Sequence, residues 1–337
     1  MSAYDGAVHT NAVLEVDDLR TLFHTPRGAV RAVDGVSFSL VAGETIGLVG
    51  ESGSGKSVLG RTLMGLVANG ATTTVTGAVR IAGRSVHDMS PRERRRLWGP
   101  QVAMVFQDPM TSLNPVRTIG AHLTDPLRLH VGLGRKQAAD RAVELLDRVG
   151  IPDPRRRLRQ YPHELSGGMR QRVMIAVALS CDPEVLIADE PTTALDVTVQ
   201  KQILDLLAEL AAERQMATIL ISHDLGAIEG RTDRVAVMYA GRVVERAATA
   251  DLFATPHHPY AEALIASVPE LSNPPHTLLR AVDGQPPDMA NPPAGCRFAP
   301  RCVRRVDRCV HEEPLLAEAE GRAVACHVPV GLTEEAV

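Results

Sequence analysis

Apolar residues change their spacing several times along the chain, and each change predicts an element. Val13-Leu-Glu-Val16 and Val36-Ser-Phe-Ser-Leu40 mix apolar with polar positions, the second in strict alternation, which predicts half-buried antiparallel strands forming a small β-layer. Thr45 to Val49 is a short, mostly apolar run of the kind a buried strand shows, and from Ser57 onward Val58, Leu59, Leu63 and Leu66 recur at helical spacing. Val75 to Ile81, with Gly83 behind it, reads as strand and turn. Val102 to Phe106, Val185 to Ala188 and Ala217 to Ile221 are three further compact strands. From about 116 to 180 the period is helical, and Ala142, Leu145, Leu146 and Val149 fall on one face of a helix over Ala138 to Val149. A second amphipathic helix is predicted from Val197 to Glu213, and the charge run Pro91-Arg-Glu-Arg-Arg-Arg96 reads as a solvated helix face.

Between the strand at 45–49 and the helix that follows lies Gly50-Glu-Ser-Gly-Ser-Gly55-Lys56-Ser57, with the spacing Gly-x4-Gly-Lys-Ser of a phosphate-binding loop. In such a loop, here Gly50, Ser52, Gly53, Ser54 and Gly55, backbone N–H groups converge on phosphates and the helix N-terminus adds its positive dipole end. Lys56 is placed to reach the β- and γ-phosphates of ATP, and Ser57 to ligate Mg²⁺. The predicted fold class is therefore α/β: a P-loop ATPase core with an antiparallel β-subdomain, a helical insertion at about 110–180 and a C-terminal cysteine-containing extension. The expected boundary between the core and the extension runs between 255 and 256.

Other residues stand where that chemistry needs them. Val185 to Ala188 ends in Asp189 and Glu190, two carboxylates at the carboxyl edge of a parallel sheet, where ligands bind. Asp189 suits the Mg²⁺ side of the site and Glu190 the general base on the attacking water. Gln107 follows the strand at 102–106 and is placed to reach Mg²⁺ or that water, and His223, past the strand at 217–221, to reach the γ-phosphate. Phe23, one of five phenylalanines, offers a ring for adenine. Ser166-Gly167-Gly168 opens a helix with an N-capping serine and free N–H groups, a second anion site. Read singly, Phe23 also suits a core, Gln107 a loop, Ser166 an ordinary helix start and His223 a structural role.

Composition narrows the partners. The chain has 337 residues, 45% hydrophobic and 23% charged, enough for one large domain with an appendage. Its net charge of -4 gives no basic field, so nucleic acid is not an expected partner. No apolar run approaches the roughly 18 residues of a membrane span, and Met1 to Gly6 lacks the features of a signal peptide, so a cytoplasmic location is expected. From Ser272 the chain turns Pro-rich, as an extended linker does. Cys181 reads as a small buried residue. Cys296, Cys302, Cys309 and Cys326 are separated by 5, 6 and 16 residues, without the C-x2-C pair of structural zinc sites. Four thiolates suit an iron-sulfur cluster, with Zn²⁺ and unligated cysteines as the alternatives.

In order and spacing, Gly50 to Ser57, Gln107, Leu165 to Gly168, Val185 to Glu190, Ala194-Leu-Asp196 and His223 resemble an ATP-binding cassette ATPase, over about residues 13–250. The resemblance implies that Phe23 is the adenine-stacking aromatic, Gln107 the Q-loop, Ser166 to Gly168 the signature, Asp196 the D-loop and His223 the switch histidine. It also implies head-to-tail pairs, the signature of one cassette closing over phosphates bound by the other. Met169 stands where many cassettes carry Gln. Gln107 to Pro115, Gly167 to Arg172, His258 to Ala263 and Gly295 to Cys302 look like the D-type ATPase subunits of dipeptide and oligopeptide importers, with nickel and glutathione importers as close relatives. That narrower resemblance implies a 4Fe-4S cluster in the extension. It further implies two transmembrane permease subunits, a second and distinct cassette, an indirectly acting extracytoplasmic solute-binding protein, and a peripheral place on the cytoplasmic face of the membrane. Two rival readings are a soluble cassette working on nucleic acid, disfavoured by the acidity and the single cassette, and a non-catalytic cassette, disfavoured by Lys56, Asp189, Glu190 and His223.

Overall fold

The structure, a computed structural model, describes residues 11–67, 69–108, 112–192, 196–268, 282–319 and 321–331. Met1 to Gly6, Met110 and Thr111 of the stretch after Gln107, Ala194 and Leu195 before Asp196, and Pro274 and Pro275 of the Pro-rich segment lie outside the described residues.

The two alternating segments near the start belong to longer strands than the pattern suggests. β1 (Ala12–Thr25) and β2 (Gly28–Val41) have 14 residues each and are joined by Pro26 and Arg27; β4 (Thr73–Ile81) and β5 (Arg84–Ser85) complete a sheet in the order β2-β1-β4-β5. Alternation in β1 is hidden by a break at Asp18, whose φ of 42° lies in the left-handed region. Leu14 and Val16 are buried before the break and Leu19 and Thr21 after it, so the buried set changes parity by one residue. Asp18 donates its freed N–H to Ser37 Oγ at 2.8 Å.

The chain forms two compact units, one of residues up to 15, 39–44 and 79–219, the other of 16–38, 45–78 and 220 onward. β1, β2 and β4 run through the division, as does β8 (Ala217–Ser222).

In the first unit, β6 (Val102–Val105) and β7 (Val185–Asp189) are parallel neighbours with Val102 opposite Val185 and Val105 opposite Ala188, and β8 lies on the other side of β7. All residues of β6 and β7 are buried, which is why they read as unbroken apolar runs. The charge run forms α2 (Pro91–Leu97), after α1 (Lys56–Leu63) of the second unit, and exposes Arg92, Arg95 and Arg96 around a capping box between Ser90 and Glu93. The region predicted to be helical holds α3 (Ile119–Pro126), α4 (Arg135–Arg148) and α5 (Gly167–Ala178), which pack on one another. α4 buries Ala138, Ala142, Leu145 and Leu146 along one stripe. α6 (Val197–Arg214) packs on α5.

In the second unit, β3 (Thr45–Val49) pairs in parallel with β9 (Arg234–Tyr239), Val49 opposite Val237. β10 (Arg242–Ala248), β12 (Arg322–Val324) and β11 (Ala317–Ala319) continue antiparallel, in the order β3-β9-β10-β12-β11. α1 (Lys56–Leu63) follows β3; α7 (Thr249–Ala254) covers β9 and β10, and α8 (Pro259–Ala266) comes next. Leu66, expected on the helix with Leu59 and Leu63, lies past its end and is exposed. The tail is tied to β2: Asp34, 2% exposed, accepts from Arg297 and Arg20 and has Arg242 Nη2 at 3.4 Å.

Candidate nucleotide site

In the second unit, buried β3 delivers the loop at 50–57. Gly50 has φ 149° and Gly55 φ 104°, and a Cβ on them would stand 2.2 Å from Met238 O and 2.0 Å from Ala32 O, so backbone packing admits no side chain at either position. Gly55 is the N-cap of α1 and caps nothing with a side chain, which leaves backbone donors of the first turn facing the loop. Lys56 is only 4% exposed; its ammonium lies within the loop's curl, donating to Gly50 O at 2.7 Å and Glu51 O at 3.0 Å. Ser54 is buried beside it, Ser57 is half-buried, and Ser52 and Gly53 are exposed. A cation held by carbonyls inside a glycine-containing loop at a helix N-terminus is an arrangement for binding phosphate. His223, just past β8, is exposed, and Phe23 is half-buried on β1.

The loop is also held from outside. The Glu51 N–H donates to Tyr260 Oη at 2.8 Å, and Arg301 Nη1 and Nη2 donate to the two Glu51 carboxylate oxygens at 2.7 and 3.0 Å. Tyr260 is the second residue of α8, and its N–H donates to Nδ1 of the N-cap His258 at 3.0 Å. Burial pushes the His258 imidazole down to about 3, which keeps this acceptor neutral. Glu245, fully buried, accepts the N–H groups of His257 and His258 at 2.9 and 2.7 Å; burial raises its carboxyl above the usual range against those two hydrogen bonds. Tyr260 and Arg301 lie in the stretches 258–263 and 295–302 that resemble the importer subunits, but spacing gives them and Glu51 no role, because the contacts join residues 209 and 250 positions apart.

In the first unit, the register of β6 and β7 sets the next pair. Val105 faces Ala188, so the residues two beyond each strand partner, Gln107 and Glu190, emerge side by side, and Gln107 Nε2 donates to Glu190 Oε2 at 2.9 Å. Asp189 is completely buried at the end of β7. Glu190 has φ 46°, a left-handed backbone that costs a β-carbon residue on the order of 1 kcal/mol and turns the carboxylate out of the strand line. Ser166 caps α5, accepting from the Met169 N–H at 3.4 Å, and with Gly167 is exposed. Asp196 caps α6, its Oδ1 accepting from the Val199 N–H at 3.0 Å. A Cβ on Gly168 would meet Val199 Cγ1 at 3.2 Å, so the serine-glycine turn and the Asp196 cap are neighbours.

Cys296, Cys302, Cys309 and Cys326 line one small cavity with His258 and Phe298. The Cys296 N–H donates to Cys309 O at 2.8 Å, and the Ala325 N–H to Val244 O at 2.8 Å, which ties the last cysteine to β10. Burial, and then the negative charge of the neighbouring sulfurs, raises the Cys296 and Cys302 thiols and pushes Cys326 up to about 12. Among the described residues no three His, Cys, Asp or Glu side chains are grouped as they are around a metal ion. Cys181 is buried, as its surroundings in the sequence suggest.

Residues 33–193 match the family model "ABC transporter" and residues 244–309 "Oligopeptide/dipeptide transporter, C-terminal region". The chain is 49% identical to the oligopeptide transport ATP-binding protein OppD of Salmonella typhimurium, covering 95% of each, and 47% identical to AppD of Bacillus subtilis, covering 94% of this chain and 96% of AppD. Among solved structures it resembles the dimeric ATP-binding cassette MJ0796 bound to ADP and Pi, with a TM-score of 0.63 and 26% identity over 70% of this chain and 98% of that one. The cassette cbiO1 from Clostridium perfringens gives a TM-score of 0.61 with 27% identity over 72% and 91%. No helix among the described residues is long and apolar enough to cross a membrane. With a P-loop flanked by strand and helix, a carboxylate pair at the end of β7 and relatives matched nearly end to end, the chain belongs to the ATP-binding cassette ATPases, in the branch of the oligopeptide transporter ATP-binding subunits.

Proposed function

We propose that this chain is the ATP-hydrolysing subunit of a peptide importer, bound on the cytoplasmic face of the cell membrane to two permease subunits and paired with a second, distinct cassette. The observation that carries the peptide reading is the match of residues 244–309 to the transporter C-terminal region, beyond the part common to cassettes at large. In this reading Lys56 and the loop N–H groups bind the β- and γ-phosphates of ATP, and Phe23 stacks on adenine. Ser57, Asp189 and Gln107 offer the hard oxygen donors that Mg²⁺ takes. Glu190 accepts the proton of the attacking water, held in place by the Gln107 amide at 2.9 Å, and His223 donates to the γ-phosphate. Ser166, Gly167 and Gly168 close over the nucleotide of the other cassette, with Asp196 beside them.

We assign Cys296, Cys302, Cys309 and Cys326 to a 4Fe-4S cluster or Zn²⁺; what supports this is the cavity they share, whose burial raises the thiols, so that thiolates there would need a cationic centre. Such a centre supplies metal-thiolate bonds that cross-link a tail with little regular structure. The expected extent of the extension is 256–337, that of the helical insertion about 110–180. Purification from membranes without oxygen tests the whole reading: two permeases and a second cassette should travel with the chain, the preparation should hydrolyse ATP, and iron should be present at about four per chain. A chain that leaves membranes alone, or travels with nucleic acid, would overturn the importer assignment; stoichiometric zinc without iron would overturn the cluster alone.

A further inference from the structure

Glu51 is an odd residue for its place. It is the first residue after Gly50 in a loop that receives phosphates, and a bare carboxylate there would repel them. The structure gives it a counter-charge from the tail: the Arg301 guanidinium forks onto both carboxylate oxygens at 2.7 and 3.0 Å, its side chain 4% exposed. Arg301 is itself fully engaged. Its Nε donates to Asp283 O at 2.7 Å, Nη2 to Val282 O at 2.9 Å and Nη1 to Tyr239 Oη at 3.3 Å, and its Cζ lies 5.8 Å from the Tyr239 ring centre. Tyr239 packs against Tyr260 at 4.6 Å between ring centres and against Phe298 at 5.2 Å. The same Tyr260 accepts the Glu51 N–H, while the Glu51 carbonyl accepts from Lys56. The donor, the acceptor and the side chain of Glu51 are thus all held, two of the three by residues of the tail.

We infer that Arg301 and Tyr260 are positioning residues for nucleotide binding: the C-terminal tail neutralises Glu51 and fixes the first turn of the phosphate loop, so that ATP meets a preorganised and uncharged rim. A loop with three glycines among the six residues 50–55 has many conformations to lose on binding, and fixing one end removes part of that loss beforehand. This rests on the reading of residues 50–57 as the ATP loop, and it does not depend on what the four cysteines hold.

The test is the affinity of the purified full chain for a fluorescent ATP analogue with Mg²⁺. Lys56→Ala must abolish binding; if it does not, the loop assignment itself fails, whatever Arg301 does. With that control in place, Arg301→Ala should weaken binding about 10-fold or more, because the Glu51 charge is left bare beside the phosphates. Arg301→Lys, which keeps the charge and loses the fork, should lose only about threefold, and Tyr260→Phe a similar amount. The deciding variant is Glu51→Ala/Arg301→Ala: removing both charges should recover most of the loss. Arg308→Ala, an exposed tail residue paired with Glu312, should match wild type. Arg301→Ala within twofold of wild type would overturn the inference, as would a double variant no better than Arg301→Ala, or an Arg308→Ala loss equal to that of Arg301→Ala, each of which reduces Arg301 to general support of the tail.

Discussion

Two helix N-termini in this chain carry glycines and face anions in the proposed function, and they are built in opposite ways. At α1 the turn backs onto β9 through Gly50, has Lys56 curled inside it, and is clamped by Tyr260 and Arg301. At α5 the turn is exposed, has no lysine, and is capped only by the Ser166 hydroxyl at 3.4 Å from the Met169 N–H. A complete site carries its own cation and its own rigidity. An incomplete one leaves its donors to the solvent until another surface brings the ligand, so α1 suits a nucleotide bound by this chain and α5 a nucleotide carried in by a second cassette.

The largest effect that would sharpen the contrast comes from Glu190→Gln. ATP binding should survive, because Lys56 and the loop are untouched, while turnover of the assembled transporter should fall by a factor on the order of 100 to 10,000. Steady-state hydrolysis near wild type would remove Glu190 from the role of base. Next is Ser166→Arg, which places a bulky cation on the open turn. It should leave nucleotide binding by this chain within about twofold and lower hydrolysis at the partner's site at least 10-fold. Lost binding in the isolated chain, with the assembled pair unaffected, would break the distinction between the two turns.

The smallest effect concerns the support behind α1. Glu245 has a carboxyl whose ordinary value of 4.5 is raised by burial in the folded chain, so the folded state holds its proton more tightly than the unfolded one. Its contribution to stability is full below 4.5 and is lost as pH rises through the raised value. Urea unfolding from pH 4.5 upward should therefore show wild type losing stability relative to Glu245→Gln, and parallel curves for the two proteins would contradict it.

Much of the α1 site was legible because it is local: strand, glycine loop and helix are contiguous, and the residues that bind phosphate follow one another. The strands β6, β7 and β8 were legible for a related reason, since full burial on both faces leaves unbroken apolar runs. Elements set by distant partners were not. The hydrogen bond between Gln107 and Glu190 depends on the register of β6 against β7, which apolar runs without alternation do not encode. The pattern predicts a short β1 because the left-handed turn at Asp18 shifts the buried parity, and it places Leu66 on α1 although the helix stops at Leu63. The sequence pattern gives no expectation for β9 or for β10, whose valines are flanked by the charged residues Arg242, Glu245 and Arg246. The four cysteines were grouped by composition, and they line one cavity; that three pieces of backbone converge to make it is a tertiary fact.

Asp34 and Glu51 have consequences for the order in which the polypeptide is made. Both acids leave the ribosome early, and the arginines that answer them, Arg297 and Arg301, are translated more than two hundred residues later. Until then the phosphate loop lacks the Arg301 counter-charge, and Asp34, 2% exposed in the finished fold, has Arg20 and Arg242 to pair with but not Arg297. A chain clipped or stalled before Arg301 therefore carries a Glu51 carboxylate without its guanidinium partner at the first turn of its nucleotide loop.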